Sequence, residues 1–132
     1  MPKDYRYIAF TTGASLRDYD AAQEECEGVG SGLAIIRNQS DWDALQTTVK
    51  QSRITVMLED FHFSKMWISG RKRSSNWRWY TDEIFGEDWP FWAQNQPNVD
   101  GEACARIRTS PDSWMSVADA ACAAMTNSFI CE

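Results

Sequence analysis

Four cysteines, Cys26, Cys104, Cys122 and Cys131, constrain this chain more than any other feature in it. An even number in 132 residues fits two disulfides made in an oxidising compartment, so a secreted, extracellular domain is expected. Three pairings are open, and spacing alone does not choose among them. A zinc site is the competing use of the same residues. It needs close ligand pairs, yet there is no C-x-x-C, and the single histidine, His62, is far in sequence from all four cysteines. The opening Met1-Pro-Lys-Asp-Tyr5 carries no apolar leader run, which at this point leaves open both a removed signal segment and a cytosolic chain.

With 43% apolar residues, including seven Trp, six Phe and four Tyr, the chain has too much large apolar surface to stay disordered. Its length suits one core, so residues 1–132 are expected to form a single domain. No apolar run approaches the roughly 20 residues that span a bilayer, so membrane insertion is not expected. A net charge of −6 argues against nucleic acid as a partner, because phosphate binding is driven by Lys and Arg. One basic cluster, Arg71-Lys72-Arg73 followed by Trp77-Arg78-Trp79, interleaves cations with aromatics as nucleic-acid surfaces do. It reads more simply as a solvated loop leading into a strand that buries both Trp.

The local patterns predict an α+β chain. Tyr5–Thr12 is an opening strand. Asp18 caps a helix whose buried face carries Tyr19, Ala22, Cys26 and Val29 at three- and four-residue spacing. Gly28, Gly30 and Gly32 break it, and Leu33–Ile36 forms a short strand. Ser40-Asp-Trp-Asp43 matches a capping box opening a second helix with Trp42, Leu45 and Val49 inside. Asn38-Gln-Ser40 is also a glycosylation sequon, but Ser40 is better explained as the cap. Strands are expected at Met66–Ser69, Trp77–Tyr80, Ala103–Ile107, Ser113–Ser116 and Ser128–Cys131. The aromatic-rich stretch Phe85–Trp92 reads as a long loop anchored by side chains. Two helices followed by strands fit α+β rather than alternating βαβ units, and a long loop in so small a domain is a place to seek function.

Read in order, Tyr19-x-x-Ala22-x-x-x-Cys26, Gly32-Leu-Ala-x-Ile36, Trp67-Ile-Ser-Gly70, Trp77-x-Trp79, Trp92-x-x-x-Gln96-Pro97-Asn98, Gly101-Glu-x-Cys104, Cys122 and Phe129-Ile-Cys-Glu132 resemble the C-type lectin domain in its short form. The resemblance spans nearly the whole chain. It implies two helices packed on small antiparallel sheets with a long ligand-binding loop, and it implies the pairings Cys26–Cys131 and Cys104–Cys122. It also implies that most Trp are core.

What the resemblance implies about function centres on Gln96, Asn98, Glu102 and Asp119 as ligands of a calcium ion, with the same four residues holding sugar hydroxyls. Calcium takes six to eight oxygens, and amides and carboxylates supply them. Pro97 is expected in the cis form. The family takes two further ligands from a Trp-Asn-Asp motif before the third cysteine, and here the sequence departs. Counting back from Cys122 puts Asp119 at the aspartate position and Ala118 at the asparagine position; counting from Trp114 gives Met115 and Ser116. The cysteine register is preferred, with Asp112–Ser116 as a lengthened turn. Ala103 stands where an auxiliary-site acid is expected.

The triplet Gln96-Pro97-Asn98 is mixed. Glu-Pro-Asn goes with mannose-type and Gln-Pro-Asp with galactose-type sugars, since exchanging acid and amide reverses donors and acceptors. The reading is a calcium-dependent lectin for vicinal hexose hydroxyls, galactose-type favoured over mannose-type, with a homodimer to raise avidity. The alternative is a metal-independent protein-interaction module on the same fold. No enzyme motif is present: no nucleophile elbow, zinc helix or phosphate loop.

Overall fold

The computed structural model describes residues 4–9, 17–56, 65–73, 75–86, 88–98, 103–108, 115–126 and 128–132. Within them lie β1 (Arg6–Ala9), α1 (Tyr19–Gly28), α2 (Gln39–Val56), β2 (Lys65–Arg73), β3 (Asn76–Arg78), β4 (Ile84–Phe85), β5 (Ala103–Arg108), β6 (Ser116–Ala120) and β7 (Ser128–Cys131).

Helix α1 starts where Asp18 predicts. The Asp18 carboxylate accepts the N–H of Ala21 at 2.9 Å, satisfying one of the free donors of the first turn. Tyr19, Ala22 and Cys26 are buried as their spacing requires. Val29 is not. The helix stops at Gly28, so Val29 leaves the helical register and lies 52% exposed. Gly30 then takes a φ of +85°, a left-handed turn that glycine adopts without the usual side-chain clash.

Helix α2 is capped two residues earlier than the capping-box pattern suggested. Asn38 Oδ1, not Ser40, accepts the N–H of Asp41 at 2.9 Å, and the Asp41 carboxylate accepts the N–H of Arg37 at 2.9 Å. Asn is as good a cap as Ser, and the downstream acid lies three residues after either candidate, so the motif fitted two registers. Leu45 and Val49 face the core and Trp42 packs at its edge.

The strands form one sheet in the order β1-β7-β2-β3-β4, with β5 joining β2 to β6. Pairing is antiparallel except between β2 and β7, where Met66 and Trp67 run parallel to Ser128 and Phe129. Strand β2 is longer than expected. It continues through Arg71-Lys72-Arg73, which pair with β3 and were read above as loop. β6 begins at Ser116, so the expected strand at Ser113–Ser116 meets it only at its last residue, and the lengthened turn also ends there; residues 111–114 lie outside the described residues. Leu33–Ile36 is extended but makes no full strand: Leu33 bridges Cys131, the Ala34 N–H donates to Ile130, and the Ala34 carbonyl accepts from Ser69.

The structure joins Cys26 to Cys131 and Cys104 to Cys122. Around these bridges Tyr19, Leu33, Trp67 and Phe129 pack as one cluster, while Ile35, Ile68, Trp77, Trp79, Ile107, Val117 and Ile130 form the larger core. Burying one such side chain contributes about 1.5–3 kcal/mol. Trp67, Trp77, Trp79 and Trp89 are all buried, as expected of structural tryptophans.

Candidate functional site

The described residues between β4 and β5 have few strand contacts of their own and are held by aromatic rings. Phe85 stacks on Trp79 with centroids 3.8 Å apart, Trp89 packs edge-on to Trp79, and Trp92 edge-on to Trp77 at 4.8 Å. The indole N–H of Trp89 donates to the Ile36 carbonyl at 2.8 Å, fastening the loop to the segment before α2. Buried indoles usually find such a partner, and this one fixes where the loop can go.

From Trp92 the chain runs beside β6. Trp92 bridges Val117, and the Ala93 N–H donates to the Val117 carbonyl at 2.8 Å. Asn95 turns the chain with a φ of +66°, a conformation asparagine tolerates, and the Gln96–Pro97 bond is cis. Gln96 Oε1 accepts the Asp119 N–H at 3.1 Å, and Asp119 Oδ2 accepts the Asn98 N–H at 2.6 Å. The Gln96–Asn98 segment and Asp119, more than twenty positions further along the sequence, thus meet through two reciprocal hydrogen bonds. The docking of Ala93 on Val117 was not visible in the sequence, because both partners are backbone groups and leave no side-chain pattern.

The structure therefore brings together Gln96, Asn98 and Asp119. Glu102 lies outside the described residues, as does His62. Asn98 is exposed and Gln96 and Asp119 are partly so. Ala118 is buried, 4% exposed. Among the described residues no group of three or more His, Cys, Asp or Glu is placed to hold a metal. The donor chemistry nevertheless suits a hard cation. Amide and carboxylate oxygens each have two lone pairs, and the hydrogen bonds above use one on Gln96 Oε1 and one on Asp119 Oδ2.

Residues 15–132 match the family described as the lectin C-type domain. The chain belongs to this family. Among the relatives of this C-type lectin domain, C-type lectin domain family 4 member A of Mus musculus is 26% identical over 114 residues, 80% of this chain and 42% of the relative. The chain thus spans less than half the length of that curated relative. The C-type lectin domain of murine dendritic cell inhibitory receptor 2, solved in complex with N-glycan, superposes with a TM-score of 0.65 at 22% identity, covering 99% of this chain and 96% of that one. Human lithostathine superposes with a TM-score of 0.72 at 18% identity, covering 96% and 80%. At these identities the superpositions establish a shared fold: two helices and a mainly antiparallel sheet.

Proposed function

We propose that this domain binds glycans in a calcium-dependent manner through Gln96, Asn98, Glu102 and Asp119. The observation that carries the reading is the contact of the Gln96–Asn98 segment with Asp119. It supports the register counted from Cys122, in which Asp119 and not the Trp114 region supplies the acid. Family membership supports carbohydrate recognition as the general role, and the glycan-bound murine domain of the same fold agrees with it.

Calcium, when bound, supplies a centre that sugar hydroxyl oxygens join. The chain's own part is to orient the acceptors. With Glu102 and Asp119 as the only carboxylates among the four residues, the protein charge at the ion is −2. Fewer charges place its affinity at or beyond the weak end for extracellular modules, about 10⁻⁴–10⁻³ M. Amides at both ends of the triplet offer donors as well as acceptors, and Gln96 tips the preference to galactose-type sugars. The role is binding without catalysis, in an extracellular setting, and with a homodimer to multiply weak sites.

A glycan array run with calcium and again with chelator tests this. Chelator-sensitive binding to hexose-terminated glycans is expected. Binding confined to a protein surface and indifferent to chelator would instead fit an interaction module. Sedimentation at tens of micromolar checks the dimer, which a clean monomer refutes.

A further inference from the structure

The basic cluster Arg71-Lys72-Arg73 with Arg78 is not used by the site above, and the strand register gives it a direction. Arg71 pairs with Cys104, and Asp119 with Ala105. Neighbouring residues of a strand face opposite sides, so Arg71 projects from the face of the sheet opposite to Asp119. Arg73 follows Arg71 by two residues and shares its side, and Arg78 stands directly across from Arg71. Like charges directly opposed across strands are destabilising. Here three guanidinium groups crowd one face of a two-stranded hairpin.

They line a cavity of about 210 Å³ closed on the other side by α1. Arg71 is compensated, pairing with Asp20 at 3.0 Å and lying over the Tyr19 ring. Among the described residues, Arg73 and Arg78 have no carboxylate within ion-pair distance; Arg78 donates only to the Asp82 carbonyl, at 3.1 Å. Glu27 and Asp82 also line the cavity. Its total charge is therefore balanced, which suits a ligand with one anionic group and several hydroxyls better than a bare anion. Tyr80 adds a fixed aromatic face, 38% exposed, whose hydroxyl donates to Glu132 at 2.5 Å. Its ring lies so close to Gly32 that a Cβ there would stand 2.5 Å from it. A flat apolar face beside carboxylate acceptors and guanidinium forks is complementary to a sugar ring bearing an oxyanion.

The structure assigns to this cavity a second glycan subsite, taking one acidic saccharide unit whose sulfate or carboxylate sits on Arg73 and Arg78. The volume is below the roughly 300 Å³ of drug-sized pockets, in keeping with a single ring. Its ligand needs no calcium, which separates it from the loop site.

The test is a titration of the isotope-labelled domain in excess chelator, followed by amide shifts, with galactose 6-sulfate, glucuronic acid, galactose and inorganic sulfate as separate probes. The expected result is that one or both acidic sugars shift the amides of Gln23, Trp79 and Tyr80 while galactose does not. The sulfated and carboxylated arms identify which oxyanion is taken. Arg73→Gln with Arg78→Gln should weaken this about tenfold or more, as loss of a charged hydrogen bond implies. Arg73→Lys, which keeps the charge but loses the planar fork, should fall between. Shifts from inorganic sulfate equal to those from the sugars would mean an adventitious ion only and overturn the assignment. So would silence from both acidic sugars, or shifts unchanged in the double variant.

Discussion

Asp119 Oδ2 and the N–H of Asn98 lie 2.6 Å apart, a short, charge-assisted contact that ties the loop to β6. Asp119→Asn keeps an oxygen at that place, whereas Asp119→Ala removes it. The alanine variant should lose about 1 kcal/mol in chelator, and the asparagine variant less. Both should lose calcium-dependent glycan binding, because both remove a carboxylate. Melting in chelator combined with array binding checks the split; equal melting losses would mean that the hydrogen bond is not what secures the loop.

Calcium at the proposed site would bind only the folded state, so it should raise stability by RT ln(1 + [Ca]/Kd), about 2.7 kcal/mol at 100 times Kd. For a domain of this size that is a melting shift of several degrees. Glu102→Gln should remove most of the shift and leave the calcium-free melting point nearly unchanged. A melting curve indifferent to about 10 mM calcium, roughly ten times the weakest expected Kd, would refute the metal site.

Gln96→Glu keeps the acceptor that meets the Asp119 N–H and adds a charge at the proposed ion. Calcium affinity should rise and preference move toward mannose. Competition by free galactose and free mannose in both proteins measures this. A parent that already prefers mannose contradicts the galactose assignment.

Burial pushes the Tyr19 phenol up to about 12, against 10 for a free tyrosine, even though a side-chain hydrogen bond with Ser69 and the nearby Arg71 pull the other way. Burial likewise raises Tyr5, whose hydroxyl donates to the Ile35 carbonyl. The folded state then holds these protons more tightly than the unfolded one. The Tyr19 contribution is complete below pH 10 and is lost as pH rises through about 12. Denaturant midpoints should therefore fall across that window, and Tyr19→Phe should flatten the fall. An unchanged slope in the variant would contradict this.

Some of this was legible in the sequence and some was not, for physical reasons. The Tyr19, Ala22, Cys26 spacing revealed the buried face of α1 because side-chain period maps directly onto helix geometry. The same logic failed at Val29, where a glycine ended the helix before the period did. The basic residues of β2 looked like loop because charge suggests solvent. In a strand, though, only alternate residues face the core, and Arg71 and Arg73 take the other side. Counting from Cys122 pointed to Asp119, which the structure sets against the Gln96–Asn98 segment, since a bridge to Cys104 fixes how far β6 can slide against β5. Where the Gln96 side chain would end was not readable, because its partner is a backbone N–H.

Reduction should cost the two bridges unequally. The Cys104–Cys122 pair closes 18 residues and the Cys26–Cys131 pair 105. Chain entropy assigns about 3 kcal/mol to a loop near 15 residues and about 4.7 kcal/mol near 100. Replacing Cys26 and Cys131 with alanine should lower the melting point more than replacing Cys104 and Cys122. The reverse order would point to native-state strain or residual structure instead.

The bridge from Cys26 to Cys131 also decides how the domain answers a pull. Arg6 lies opposite Cys131 at the open end of the antiparallel β1–β7 pair, so tension on the two ends would peel β1 away bond by bond. The unravelling must halt at Cys26, where the load passes through sulfur to Cys131 and straight out through Glu132. Everything from residue 27 to 130, including Gln96, Asn98 and Asp119, lies inside that closed ring and carries no tension.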